Sequence, residues 1–221
     1  TDEVLYPAME QGTLDIILGK GPSARTIQLE LPPFTLIAAT TRVALLSSPL
    51  RSRFSGGVFR LEFYTAQEIE KILRRSAAIL AVKMDDGACV EIAKRSRFTP
   101  RTANYLLKRC RDFAQIKKVP LTKALALETF SLLQVDSLGL TLADRNILET
   151  IIRKFRGGPV GVNTIATALH EEEATVEEVY EPYLIQLGFL ERTPRGRAAT
   201  PAALAHLGIP LSPIAPQTRL L

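Results

Sequence analysis

Residues 181–200, EPYLIQLGFLERTPRGRAAT, decide the fold. Their first half belongs to VEEVYEPYLIQLGFL at 176–190, which reads as a helix opened by a capping box of Thr175 and Glu178. Their second half, ERTPRGRAAT, is a short loop containing glycine that can connect two strands. Working backward, VNTIATAL at 162–169 reads as a short helix. GGPVG at 157–161 breaks an earlier helix whose apolar face is Ile147, Leu148, Ile151, Ile152 and Phe155. Three helices followed by a hairpin is the winged-helix order, a helix-turn-helix variant. Its third helix carries Glu177, Glu178 and Glu181, poor company for DNA phosphates, so it does not read as a helix for the major groove. Arg192, Arg195 and Arg197 cluster on the hairpin instead. Residues 137–221 are therefore expected to form a winged-helix domain, with a loose proline-rich end, SPIAPQTRLL.

Upstream, residues 65–136 read as a helical domain. Thr65 and Glu68 make a capping box before IEKILRRSAAIL. A second helix covers about 86–96. In FTPRTANYLLKR at 98–109, Thr99 is an N-cap and Pro100 the first helical residue. A fourth helix follows Thr122. This region concentrates the positive charge: residues 66–118 hold 13 Lys and Arg against 6 Asp and Glu, in a chain whose net charge is +5. Most of that excess reads as a solvated helical surface.

Residues 1–64 read as β-rich, so the chain as a whole is α/β plus α. TLDIIL and TIQLEL alternate with period two around the turn cluster GKGPSAR and predict a hairpin over 13–31. Ile17 projects among polar neighbours, either at a half-buried sheet edge or as an exposed docking spot. FTLIAATT at 34–41 is a continuous apolar run, expected to be a strand buried on both faces with Thr40 and Thr41 at its C-terminal end. SSPLRSRF at 47–54 reads as a rigid, doubly basic turn. The start, TDEVLYPAMEQ, lies inside an amphipathic helix and is expected of a piece of a longer chain.

Several chemistries find no support. There is no G-x-x-x-x-G-K-[ST] phosphate loop and no H-E-x-x-H. His170 and His206, with Cys89 and Cys110, make no metal set, and the cysteines read as buried thiols suited to a reducing compartment. With no run of 18 apolar residues and no basic-then-apolar N-terminus, the expectation is a cytoplasmic protein away from membranes. What remains is arginine chemistry. Arg101 falls in the first turn of a capped helix, where free N–H groups and the positive end of the helix dipole favour an anion.

In order, TLIAATTR, SSPLRSRF, RLEFY, FTPRTANYLLKR, GGPVG and EPYLIQLGFLERTPRGRAAT closely resemble RuvB, the AAA+ motor subunit of the bacterial Holliday-junction branch-migration complex. The resemblance covers residues 1 to about 210, and EVLYPAME resembles the helix after the family's Walker B strand. It implies that residues 1–64 are the C-terminal part of the large ATPase domain, residues 65–136 the helical lid and residues 137–221 the winged helix. It also implies a subunit of a hexameric ring that moves DNA with ATP and Mg2+, whose ligands lie mostly outside this chain. Thr41 then matches the residue that orients the attacking water, and Arg53 the arginine finger that reaches ATP on the next subunit. Arg51 flanks the finger. Tyr64 matches a residue near adenine, and Arg101 a contact of the γ-phosphate. Arg192 and Arg197 match contacts of the DNA backbone, with Arg195 beside them as a further DNA-binding candidate. The hairpin, through Ile16, Ile17 and Leu18, matches the element that docks on RuvA. The family's phosphate loop and Walker B acids would lie before Thr1, so this chain alone is expected to be inactive. Three departures stand out: Phe98 where the family has glycine, an extra residue in Ser55–Gly57, and Glu173 where a basic contact is expected. The competing expectations are a clamp-loader-like or initiator AAA+ protein, a winged-helix transcription regulator and an inert interaction scaffold.

Overall fold

The computed structural model describes residues 2–19 and 25–210 of the 221. The turn at 20–24 and the proline-rich end at 212–221 lie outside them. The chain divides into two compact units, one ending at Glu62 and the other starting at Phe63.

In the first unit, a 3-10 turn at Asp2–Val4 leads into helix α1, Leu5–Gln11. Gly12, at φ 66°, ends α1 by donating its N–H to the Pro7 carbonyl, a left-handed cap that glycine makes cheaply. Strands β1 (Thr13–Leu18) and β2 (Arg25–Glu30) pair antiparallel, with Ile16 opposite Ile27 and Leu14 opposite Leu29. The predicted hairpin is present. Ile17 is 70% exposed, but Leu18, Ile27 and Leu29 are exposed as well, so both faces of the hairpin stand open.

Two expectations fail in this unit. Residues 34–41 form no strand among the described residues, and Ile37 is 88% exposed. A strand buried on both faces needs neighbours along both edges; the described part of this unit holds one two-stranded sheet, formed by β1 and β2. The second correction concerns SSPLRSRF, which is a helix rather than a turn. Helix α2 covers Ser48–Arg53: Ser47 caps it by accepting from Leu50 N at 3.3 Å, Pro49 sits in its first turn, and Leu50 anchors it in the interior.

The second unit begins with four helices. Helix α3 (Ala66–Ile79) has the Thr65–Glu68 capping box in place. The bonds Glu68 accepts from the Thr65 backbone and hydroxyl hold its carboxyl below the usual range. Helix α4 covers Asp86–Lys94, α5 Pro100–Lys117 and α6 Lys123–Leu132, each opened by the side chain of the residue before it: Asp85, Thr99 and Thr122. Such caps contribute about 1 kcal/mol each. The apolar faces of the four helices meet around Ile69, Leu73, Ile92, Leu106, Leu107 and Phe130. Cys89 and Cys110 are buried free thiols in this core, and burial pushes the Cys110 thiol up to about 12.

A second core follows around Leu140, Ile147, Leu148, Ile151, Ile165 and Leu184. Helix α7 (Leu142–Glu149) continues as a π turn over Thr150–Lys154, and α8 covers Val162–Leu169. The third helix is irregular: one turn, α9 (Glu173–Thr175), a π turn over Val176–Tyr180, then α10 (Glu181–Gln186). It starts earlier than expected, and the Thr175–Glu178 capping box does not form. Thr175 already has helical angles, φ −65° and ψ −43°, so it cannot take the extended conformation of a cap. Strands β3 (Leu190–Thr193) and β4 (Gly196–Ala199) form the wing, and α11 (Pro201–His206) closes the domain. The GGPVG stretch seats the wing: Val160 and Arg197 exchange both backbone hydrogen bonds. That approach requires glycines, because a Cβ on Gly158 would lie 2.4 Å from the Arg197 carbonyl oxygen and one on Gly196 2.4 Å from that of Val160.

The two cores are fastened together by Arg97. Its Nε donates to the Gly139 carbonyl at 3.0 Å, its Nη2 bonds the fully buried Asp144, and its guanidinium lies 4.8 Å from the centre of the Tyr183 ring. The Tyr183 hydroxyl donates to the Leu138 carbonyl, and burial pushes its pKa up to about 12. His206 and Asp136, 2.8 Å apart, add a second fastening.

Candidate functional site

Thr41 and Arg53 belong to the first unit. Thr41 is exposed just after Thr40, whose hydroxyl accepts from Arg42 N at 3.0 Å. Arg51 and Arg53 occupy the last turn of α2. Arg51 is exposed, whereas the Arg53 side chain is only 23% exposed. Its Nη1 donates to the Pro49 carbonyl at 2.8 Å, its Nη2 pairs with Glu10 at 2.7 Å, and its guanidinium carbon lies 4.2 Å from the centre of the Tyr6 ring. Ser55–Gly57 lies just after α2, where a Cβ on Gly56 would meet nothing within 4 Å.

Tyr64 and Arg101 belong to the second unit. The Tyr64 N–H donates to the Phe98 carbonyl at 3.2 Å, which brings Tyr64 beside the loop that leads into α5. Arg101 is exposed in the first turn of that 18-residue helix. Thr99 satisfies the Thr102 N–H, and Pro100 has none to satisfy. An exposed guanidinium beside a helix N-terminus fits an anionic phosphate. Phe98 keeps a left-handed backbone, φ 56°, while its ring packs on the winged-helix core. Phe98 thus holds a backbone conformation that glycine takes most easily. Phe98→Gly is expected to be more stable than Phe98→Ala by about 1 kcal/mol, because both lose the ring but only Ala keeps the Cβ clash. Urea unfolding checks the order, and Ala above Gly would contradict it.

On the wing, the three arginines differ. Arg195 is exposed at the turn, which its own N–H shapes by bonding Thr193 Oγ1. Arg192 pairs with Glu181 at 2.6 Å. Arg197, 15% exposed, bonds Glu181 through Nε at 2.8 Å and Glu177 through Nη2. Burial opposes its charge, but the bonds and charges of Glu181 and Glu177 outweigh burial and hold its pKa above the usual value. The acidic third helix therefore acts as a counter-ion for the wing. Glu173 accepts from Asn163 at 2.6 Å. The sequence reading missed Tyr6, Glu10, Arg97, Asp144 and the pairing role of Glu181. The spacing of Tyr6 and Glu10, four apart on one helix, is the signal that could have found the first two.

A partial α/β unit, a four-helix lid and a winged helix bonded to that lid define an AAA+ protein with a winged helix behind its lid. Three domain models match the chain in order: the Holliday junction DNA helicase RuvB P-loop domain over residues 1–61, the RuvB AAA lid domain over 64–136 and the RuvB C-terminal winged helix domain over 137–208. The Holliday junction branch migration complex subunit RuvB of Dehalococcoides mccartyi is 59% identical over 210 residues, covering 95% of this chain and 60% of the relative. The solved Thermotoga maritima RuvB Holliday junction branch migration motor is 46% identical, with a TM-score of 0.79, over 96% of this chain and 66% of that one. A proline-to-glycine mutant of the same Thermotoga protein gives 46% identity and a TM-score of 0.80, over 96% of this chain and 67% of that one. The chain belongs to the RuvB family, and it spans 60% of the curated relative's length. None of the described helices is long and apolar enough to cross a membrane.

Proposed function

We propose that this chain is the C-terminal part of a RuvB-type motor subunit, one of six in a cytoplasmic ring that drives branch migration of Holliday junctions in recombination and repair. The observation that carries the reading is the 59% identity to a branch-migration subunit over nearly the whole chain. The domains fall at 1–64, 65–136 and 137–221. The bare apolar run at 34–41 fits the reading, since in a longer protein it gains strands along both edges.

ATP bound with Mg2+ supplies the phosphoanhydride whose hydrolysis drives the motor. Arg101, at the open first turn of α5, holds the γ-phosphate, and Tyr64 lies against the adenine. Thr41 orients the attacking water. Arg53 reaches ATP held by the neighbouring subunit, so that hydrolysis depends on the ring contact. The β1–β2 hairpin presents Ile16, Ile17 and Leu18 to a RuvA-like junction-binding protein. On the wing, the exposed Arg195 meets the DNA backbone without sequence preference, and Arg192 and Arg197 add to that contact only by leaving Glu181.

Arg195 gives the clean test. Arg197→Ala would leave the buried Glu181 with Arg192 as its remaining ion-pair partner, so a binding loss there would mix with unfolding. Arg195→Ala is expected to lower affinity about equally on any duplex and to reduce the slope of log K against log salt by about 1. Titrations at several salt concentrations measure both quantities. A loss confined to particular sequences would count against a motor and favour a sequence-reading regulator.

A further inference from the structure

The holding of Arg53 by α1 goes beyond the assignment of Arg53 itself. Tyr6 and Glu10 lie one helical turn apart on one face of α1. Glu10 takes the Nη2 of Arg53 at 2.7 Å, and the Tyr6 ring lies under the guanidinium at 4.2 Å. The Tyr6 hydroxyl also reaches Ser47 Oγ at 3.0 Å, and Ser47 is the N-cap of α2. Helix α1 therefore touches both ends of the short helix that carries Arg53. With the Pro49 carbonyl, three contacts of different direction fix the guanidinium plane: a ring below it, a carboxylate at one nitrogen and a carbonyl at another. The Nε is buried with no partner at all, which leaves the outer edge of the fork as the part able to meet a ligand.

An arginine side chain has many rotamers to lose, and less is lost per bond formed when its fork is already oriented. Transition-state charge is stabilised best by groups that need not reorganise at the moment of reaction. We propose that Tyr6 and Glu10 are positioning residues for Arg53, setting its plane and reach before any phosphate arrives. The proposal rests on the reading of Arg53 as the finger. Glu10 does not itself meet the nucleotide, because a carboxylate would repel phosphate oxygens. It acts through Arg53, in exchange for part of that residue's positive charge.

Two measurements test it. In the full-length protein without nucleotide, phenylglyoxal is expected to modify Arg53 at least about tenfold more slowly than the exposed Arg51, read by mass spectrometry of the peptides. Glu10→Ala is expected to bring the two rates together. In steady-state ATP hydrolysis, Glu10→Ala is expected to lower kcat between about tenfold and a hundredfold, with KM within twofold and an unchanged melting temperature. Glu10→Gln, which keeps the hydrogen-bond acceptor, is expected to recover most of the loss. Equal modification of Arg53 and Arg51 in the unaltered protein overturns the proposal. So does a kcat for Glu10→Ala that is unchanged or raised, or a loss of kcat accompanied by a lowered melting temperature. If Arg53→Ala itself leaves turnover intact, the finger assignment fails first and the proposal falls with it. If Arg53→Ala is inactive and Glu10→Ala is not, only the positioning role fails.

Discussion

Arg53→Ala in the full-length protein is expected to leave ATP binding nearly normal and to lower ATP turnover by about 10³ to 10⁵. The transferring phosphoryl group spreads negative charge over its oxygens, and a fixed guanidinium is among the few groups that meet that charge without rearranging. Losing it should barely alter the structure. Arg53 is the last residue of a six-residue helix, and Glu10, left without its partner, is half exposed and can be solvated. Equilibrium nucleotide binding and phosphate release measure the two halves of the prediction. A mixing experiment locates the target: subunits lacking Arg53, combined with subunits that keep it but cannot bind ATP, should recover part of the activity. No recovery, or normal turnover in the variant alone, would refute action between subunits.

Glu181→Ala should unfold the winged helix more readily, by about 3 kcal/mol. This carboxylate has no exposed surface, and both of its oxygens are taken by Arg192 and Arg197. Arg197 would keep only the half-exposed Glu177 while remaining mostly buried. Removing one member of a buried ion pair costs more than the pair ever contributed, because the remaining charge stays desolvated. Glu181→Gln keeps the shape and two polar atoms and should cost less. Urea unfolding of the two variants gives both numbers. A loss below about 1 kcal/mol in the alanine variant would mean that water or another side chain replaces the carboxylate.

What could be read in advance follows from how local each cause is. The caps at Thr65, Thr99 and Thr122 were legible because the side chain, the N–H it satisfies and the following apolar pattern sit within one turn. Both hairpins were legible for the same reason. The run at 34–41 misled, because alternation and apolarity report what a segment can bury, whereas a strand exists only where another strand lies beside it. In SSPLRSRF the helix was short enough for the two arginines to hide the Ser47 cap and the first-turn proline. At Thr175 a correct motif lost to a helix that had already begun at Glu173. Thr41, Arg53, Tyr64 and Arg101 could each be proposed from the sequence as candidates. Their partners could not be, since Glu10 is far from Arg53 in the chain and Asp144 far from Arg97. The wing shows the same limit. Three arginines in six residues read as one basic patch, and the carboxylates of Glu177 and Glu181 separate an open Arg195 from a neutralised Arg197.

Arg97 stands four residues before Arg101, and its planar head is bolted at once to a carbonyl, a carboxylate and an aromatic face of the winged helix. The loop ahead of α5 thus ties the lid to the winged helix through one side chain. A shift of that loop pulls on Gly139, Asp144 and Tyr183 together, so the helix start that carries Arg101 and the winged helix share an anchor.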